Sequence, residues 1–150
     1  MALNEITYED KVSLNPQPII ANKNKVSDDD MNEIKSVVNA GVVVESGTNA
    51  NGNYIKYGDG TMICWDTKTY YGMQITGGYQ GVYYANTGSI TFPQEFIEAP
   101  HIIATAHIAG GGYSMYGGVT GSAFSGFVWK TQSATINVPL TWTAYGKWKA

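Results

Sequence analysis

The side chains that could carry out catalysis are few in this chain, and their spacing matches no catalytic motif. Beyond residue 53 the candidates are four carboxylates and two histidines: Asp59, Asp66, Glu95, Glu98, His101 and His107. Glycoside hydrolysis requires two carboxylates in different environments. The sequence instead places Asp59 in a turn and Asp66 at a strand end, where capping or turn bonding accounts for it. Glu95 and Glu98 lie in a proline-bounded loop. We therefore expect no enzyme activity, unless Asp66, Glu95 and Glu98 converge between subunits.

His101 and His107 are the possible metal ligands, and they share one face of a predicted strand. Six residues of extended chain separate them by about 20 Å, so one chain cannot bring both to the same ion. We expect hydrogen bonding at the surface or at an interface; three copies of one histidine meeting on a threefold axis remain an alternative. The single cysteine, Cys64, lies in an apolar run, so we expect a small buried residue without an internal disulfide. We predict neither a metal nor a cofactor.

Tyrosine is the residue type that indicates ligand binding in this sequence. There are 11 tyrosines, and several lie in glycine-rich stretches. A tyrosine ring offers an apolar face to the C–H side of a sugar and a hydroxyl to its polar edge. We therefore predict that a neutral polar ligand such as a glycan contacts the following residues: Tyr83, Tyr84, Tyr113, Tyr116, Trp129 and His101. The alternative is that these rings pack the domain or an oligomer interface.

Charge and hydropathy narrow the range of partners. The chain has 150 residues, with nine lysines, no arginine, twelve acids and a net charge of −3. A mildly acidic chain without arginine is a poor candidate for binding nucleic acid. Its apolar runs are only a few residues long, so we expect no membrane insertion. Residues 1–20 lack a basic start followed by an apolar stretch, so we expect no signal peptide.

Aromatic and charged residues divide the chain into parts. Of the 19 aromatic residues, 18 lie between Tyr54 and Trp148, whereas residues 1–45 hold 12 of the 21 charges. Because a charged segment poor in aromatics buries little surface, we predict an extended segment over 1–26 and a compact domain over 54–150. Between them we predict a helix over 27–40 and a linker over 41–53, the latter because 45–53 lack large apolar side chains.

The predicted helix has an apolar stripe that must be buried somewhere. Ser27 can cap its first turn, and Asn39, Ala40 and Gly41 provide the stop signal. Met31, Ile34 and Val38 follow the spacing of one helix face. The stripe packs either against the chain's own domain or against further copies in a short parallel bundle. The helix alone does not decide between these two.

From residue 54 onward the pattern alternates with a period of two, which is typical of strands. Asp59-Gly60 separates two β-rich runs and predicts a hairpin. The runs 101–108 and 136–145 each place apolar side chains on one face. Pro139 cannot donate a ladder hydrogen bond, so its position is an edge, a bulge or a place where the N–H side is open. Short strands without a second helix predict an antiparallel sandwich or barrel.

Three segments of the chain carry a family resemblance: residues 53–65 (NYIKYGDGTMICW), 90–100 (ITFPQEFIEAP) and 142–149 (WTAYGKWK). Together and in this order they resemble the C-terminal knob of bacteriophage tail fibres, the class with an H-type-lectin-like sandwich. Residues 23–39 resemble the neck helix that precedes such knobs. Residues 67–87 and 109–123 match nothing in that class. A receptor-binding protein is expected to vary in such segments.

The resemblance implies a fold class, a location and partners. It implies a mostly β protein in which a β-sandwich knob follows an extended segment and a short helix, as a parallel homotrimer with Met31, Ile34 and Val38 in the neck. Such a protein is made in the bacterial cytoplasm, joins the virion as part of the tail or tail fibre, and binds a host cell-surface glycan. Residues 1–26 would attach to other tail or baseplate proteins. The alternative function is that of a purely structural tail or baseplate component without glycan binding.

Overall fold

The computed structural model describes residues 28–110 and 112–150. The predicted attachment segment 1–26 and the predicted capping residue Ser27 lie outside the described residues. One helix and nine strands follow each other in the described chain: α1 (Asp28–Ala40), β1 (Val43–Asn49), β2 (Gly52–Tyr57), β3 (Thr61–Ile75), β4 (Gly77–Tyr79), β5 (Val82–Thr91), β6 (His101–Ala106), β7 (Gly112–Val119), β8 (Ala123–Lys130) and β9 (Ala134–Lys147).

The strands form two antiparallel sheets that pack on each other. The five-stranded sheet has the order β1-β2-β3-β9-β6, and the four-stranded sheet has the order β4-β5-β8-β7. One core cluster joins residues of both sheets, such as Cys64 and Leu140 from the first and Ile90 and Phe124 from the second. The predicted antiparallel sandwich is therefore confirmed, and the barrel alternative is not.

Trp142 lies at the centre of the core, 1% exposed. Its ring centroid lies 5.5 Å from that of Phe124 and 5.8 Å from that of Phe92. The alternation predicted for the last strand is confirmed, because Val138, Leu140, Trp142 and Ala144 are all buried. Aromatic rings at these distances add to the stabilisation that comes from burying their apolar area.

Pro139 lies in a central strand and not at an edge, because β9 runs between β3 and β6. Its carbonyl oxygen accepts a hydrogen bond from the His107 amide at 2.9 Å. In an antiparallel strand the nitrogen and the carbonyl of one residue face the same neighbour. The proline nitrogen therefore faces the end of β6, which finishes at Ala106. Of the three predicted alternatives, the open N–H side is confirmed.

The linker prediction is wrong over residues 43–49, which form β1 and pair with β2. Its polar side chains are compatible with a strand because β1 lies at the sheet edge, where one strand face and one edge meet solvent. Glu45 accepts hydrogen bonds from Lys56 Nζ at 2.9 Å and from the Tyr54 hydroxyl at 2.8 Å. These two bonds lower the pKa of Glu45. The pairing of polar residues across the ladder replaces the apolar pattern on which the linker prediction relied.

The predicted helix is present, and three of its apolar side chains are exposed. Ile34, Val37 and Val38 are 54%, 67% and 53% exposed, whereas Met31 is half-buried. The chain's own β domain therefore leaves Ile34, Val37 and Val38 uncovered. No helix within the described ranges is long and apolar enough to span a membrane.

Candidate functional site

Alternation along β8 points two large aromatic side chains away from the core. Phe124 and Val128 are buried between the sheets, so Phe127 and Trp129, at the intervening positions, lie on the outer face of the four-stranded sheet. The register then places Tyr84 of β5 opposite Trp129 on one side and Tyr113 of β7 opposite it on the other. Three aromatic residues from three strands thus lie side by side.

Trp129 is the centre of this group. Its ring centroid lies 5.0 Å from Tyr84, 6.1 Å from Tyr113, 6.3 Å from Phe127 and 6.5 Å from Tyr79. The planes of Trp129 and Tyr113 are only 7° apart. We call these residues, Tyr79, Tyr84, Phe127, Trp129 and Tyr113, the aromatic row.

The aromatic row is open to solvent at its two ends. Tyr79 and Tyr113 are more than half exposed, and Trp129 and Tyr84 between them are half-buried. Met115, which pairs with Phe127, extends the apolar surface along β7. The indole N–H of Trp129 is enclosed and has no hydrogen-bond acceptor among the described residues.

The surroundings of the aromatic row are almost uncharged. The four strands of this sheet contain one charged residue, Lys130. Its amine donates to the Ala109 carbonyl at 3.0 Å. An exposed aromatic surface without charge suits a neutral ligand that presents C–H groups to the rings and hydroxyls to their edges.

The structure brings three of the six predicted contact residues together and separates the other three. Tyr84, Trp129 and Tyr113 lie side by side in the aromatic row. Tyr83, next to Tyr84 on the strand, points the opposite way and packs against the buried cluster of Met73, Ile75, Val128 and Val138. It therefore has a core position and is not part of the row.

Tyr116 and His101 are likewise displaced from the row. Tyr116 pairs with the buried Gly126, so it lies on the face of β7 opposite to Tyr113, although it is 53% exposed. His101 belongs to the other sheet, where its ring stacks on Tyr145 with centroids 5.0 Å apart. These two residues and the row cannot contact one small ligand within a single chain.

Three residues of this surface are not among the predicted contacts, namely Tyr79, Phe127 and Met115. The signal for Phe127 was present, because the alternation that buries Phe124 and Val128 assigns Phe127 to the face of Trp129. The sheet face on which Met115 lies depends on the register of β7. A glycine-rich sequence specifies that register only weakly. The glycine-rich stretches that contain these tyrosines form strands, with Tyr84 in β5 and Tyr113 in β7.

The carboxylates beyond residue 53 lie at three places in the described chain: the β2–β3 turn, strand β3 and the segment between β5 and β6. Asp59 accepts hydrogen bonds from the amide and hydroxyl of Thr61, which lower its pKa and fix the predicted turn. Glu95 and Glu98 are exposed between β5 and β6. No cluster of three or more potential metal ligands occurs among the residues whose placement is described.

Solved tail-fibre structures share this fold. An N-truncated R1-type pyocin tail fibre matches with a TM-score of 0.57 at 17% identity, over 77% of this chain and 94% of that chain. The C-terminal part of the P. aeruginosa R1 pyocin fibre matches with 0.55 at 17% identity, over 75% of this chain and 30% of that chain. The P. aeruginosa R2 pyocin fibre matches with 0.52 at 17% identity, over 98% and 37%.

These similarities define the class of fold. No family model matches the chain, and no curated protein matches it. At 17% identity the structural matches show a tail-fibre-like fold. This fold confirms the coarse part of the resemblance seen in the sequence.

Proposed function

We propose that this chain is a tail or tail-fibre adhesin that binds host cell-surface carbohydrate through the aromatic row. The observation that carries the proposal is the position of Trp129 between Tyr84 and Tyr113 on an uncharged, partly exposed sheet face. The tail-fibre-like fold supports this role. In this proposal the knob is an H-type-lectin-like sandwich on the virion, and residues 1–26 attach it to other tail or baseplate proteins.

The chemistry of the row favours a sugar over a charged ligand. The only cation on these four strands, Lys130, is engaged with a carbonyl, so the row provides no partner for a phosphate or carboxylate group. Aromatic faces pack against the C–H groups of a sugar ring, and the tyrosine hydroxyls can bond its hydroxyls. Each such site is weak alone, and several copies on one particle raise the effective affinity.

The proposal includes a parallel homotrimer with α1 as its neck. The exposed side chains of Ile34, Val37 and Val38 support it, because a short amphipathic helix is marginal in water unless its apolar face is covered. Three parallel copies would cover this face and hold three knobs together.

A glycan array probed with the purified chain tests the proposal. We expect binding to a restricted set of neutral bacterial-surface saccharides and a large loss of signal for Tyr113→Ala. The matched control is Tyr71→Ala, since Tyr71 is 81% exposed and belongs to the other sheet. No binding to any host saccharide by an intact oligomer would contradict the proposal.

A purely structural role is the second candidate, and the outer face of the five-stranded sheet favours it. Trp65, Ile103 and Tyr145 are 40%, 63% and 45% exposed on this face. Thr143 pairs with both Trp65 and Ile103, which makes the surface continuous across three strands. Such an apolar patch suits contact with another subunit. An intact oligomer that binds no saccharide would support this candidate.

We propose binding without turnover. The carboxylates Glu95 and Glu98 lie on an exposed segment and do not border the cavity that Asp66 lines. Incubation with host cell-wall polysaccharide should therefore release no reducing ends. A steady release that requires Asp66 would establish the enzyme alternative instead.

A further inference from the structure

A cavity of about 320 Å³ opens between the β1–β2 turn, β3 and β5. Its lining includes Asn51, Asp66, Lys68, Thr91 and Trp142. It is distinct from the aromatic row, because Ile90 and Thr91 lie at the end of β5 remote from Tyr84. The size is at the lower limit of small-molecule sites, which is enough for one small ring.

Asp66 occupies a core-facing position of its strand without a partner. Along β3 the side chains of Met62 and Cys64 are buried, and Asp66 follows in the same alternation, opposite the buried Trp142. Its carboxylate makes no hydrogen bond or ion pair with any residue that the structure describes. The predicted role in capping or turn bonding is therefore wrong. Asp66 is partly exposed, and its oxygens are not among the enclosed polar atoms of the described residues, so the carboxylate is open to a ligand in the cavity.

Trp142 provides a second unpartnered polar group at the same cavity. The side chain is 1% exposed, and its indole N–H has no acceptor among the residues that the structure places. Trp142 lines the cavity and is directly paired across the sheet with Asp66, although its indole N–H is itself enclosed. A ligand with several hydroxyl groups can donate hydrogen bonds to the Asp66 carboxylate beside this side chain.

The wall of the cavity is held in place by specific bonds. Asn49 Nδ2 donates to the Pro93 carbonyl at 2.8 Å, and the Asn51 amide donates to Asn49 Oδ1 at 2.9 Å. Gly52 has a φ of +124°, and a Cβ there would lie 2.8 Å from the Asp66 Cβ. Only glycine allows β2 to begin so close to Asp66. The cavity is therefore preorganised, as binding sites usually are.

The charges at the cavity indicate a neutral ligand. Asp66 and Lys68 both line the cavity, so the charged side chains of its lining sum to zero; the Lys68 ammonium lies 5.1 Å from the Tyr70 ring centroid. A divalent cation would meet one carboxylate and a nearby ammonium, which is unfavourable. Threonine hydroxyls and the Asn51 side-chain amide add donors and acceptors to a lining that also contains the apolar side chains of Ile90 and Trp142.

We propose that this cavity is a second saccharide subsite that binds one sugar ring, with Asp66 accepting hydrogen bonds from the sugar hydroxyls. The proposal rests on carbohydrate binding by this chain and extends it from one surface to two.

Indole N–H resonances of the full ¹⁵N-labelled chain test both sites in one titration. Free neutral hexoses, 6-deoxyhexoses and N-acetylhexosamines are added singly, and Trp129 and Trp142 are assigned from their Trp→Phe variants. We expect at least one sugar to shift the Trp142 resonance. Asp66→Asn should weaken that response about tenfold or more, with the Trp129 response unchanged. The matched control Glu98→Gln removes an exposed carboxylate and should change neither response.

Each outcome separates this inference from the proposed function. If sugars shift Trp129 but never Trp142, or if Ca²⁺ alone shifts Trp142, the cavity proposal is overturned and the aromatic row stands. A shift of the Trp142 resonance alone supports sugar binding at the cavity and contradicts sugar binding at the aromatic row. If neither resonance responds to any sugar, both proposals fail.

The stability of Asp66→Asn provides a second, independent readout. A binding role predicts a melting temperature equal to or higher than that of the wild type, because the variant removes an unpaired carboxylate. A clear fall would assign Asp66 a structural role and overturn the proposal. Thr91→Val, which replaces a hydroxyl at the cavity with a methyl group, is expected to weaken the Trp142 response severalfold; an unchanged response would contradict the subsite.

Discussion

The Thr87 hydroxyl bonds to the backbone of the sheet that carries the aromatic row. The ladder between β5 and β8 is interrupted between Asn86 and Ser89. At this bulge the Thr87 hydroxyl accepts a hydrogen bond from the Gly126 amide at 2.9 Å and lies 3.1 Å from the Gly126 carbonyl oxygen. It therefore satisfies backbone groups of β8 that the bulge leaves unpaired.

We predict that Thr87→Val destabilises the protein by about 1–3 kcal/mol, because it leaves buried backbone groups without a partner. Thr87→Ser keeps the hydroxyl and loses one methyl, so it should cost only about 0.8 kcal/mol. Urea denaturation of both variants measures the difference. A Val variant as stable as the Ser variant would show that the hydroxyl is dispensable.

Cys64 couples stability to alkaline pH. Burial raises the pKa of its thiol from 9.0 to about 11. Between these pH values the unfolded chain releases the thiol proton and the folded chain keeps it, so stability falls as the pH rises. The thiol contributes a loss of about 2 kcal/mol across this interval. Urea denaturation from pH 8 to 11 should show a shallower decline for Cys64→Ala than for the wild type; identical slopes would contradict the prediction.

The residues of the site were only partly predictable, for a physical reason. Trp129, Tyr84 and Tyr113 were predicted from side-chain chemistry alone, and the structure places them together. Tyr83 and Tyr116 have the same chemistry but lie on the opposite faces of their strands. Which face of the sheet a side chain occupies depends on the register of its strand. The bulges in β5 and β7 shift that register, and side-chain chemistry does not show where a bulge falls.

At the scale of elements, the segment between β5 and β6 is fixed to the sandwich by close backbone packing. The Phe96 amide donates to the Gly121 carbonyl at 2.9 Å. A Cβ at Gly121 would clash with the Phe96 carbonyl oxygen, which is backbone and cannot rotate away. This contact places the Phe96 ring, 2% exposed, in the core.

We predict that Gly121→Ala costs about 1–3 kcal/mol, because the added methyl group must displace backbone in a packed region. The matched control is Gly78→Ala in β4, where a Cβ would meet nothing within 4 Å; its effect should stay within about 0.5 kcal/mol. Thermal denaturation followed by circular dichroism compares the two variants. Equal melting temperatures would exclude the proposed close contact.

Strands with turn signals or apolar alternation could be predicted from the sequence, whereas the polar edge strand β1 could not. The hairpin around Asp59-Gly60 and the last strand followed from turn chemistry and alternation, and both are present. β1 was missed because its residues from Glu45 onward have no large apolar side chain. Its pairing instead relies on the cross-strand Glu45–Lys56 contact and on backbone bonds to β2, which a search for apolar alternation does not detect.

At the scale of the whole molecule, the exposed stripe of α1 predicts self-association. Replacing both Ile34 and Val38 by Asp should convert the proposed trimer to a monomer, because charges do not tolerate burial in a helical seam. The matched control is Ser36→Asp, at an exposed polar position of the same helix. Light scattering gives the mass directly. A wild-type mass of one 16.2 kDa chain would contradict the neck.

Titration calorimetry with a saccharide identified on the array measures carbohydrate binding by the aromatic row. Trp129 contacts four of the row's rings, and loss of one stacking aromatic costs about 1–3 kcal/mol in comparable platforms. We predict that Trp129→Ala raises the Kd at least about tenfold, while Tyr71→Ala leaves it unchanged. A folded Trp129→Ala protein that binds the saccharide with wild-type affinity would contradict the account.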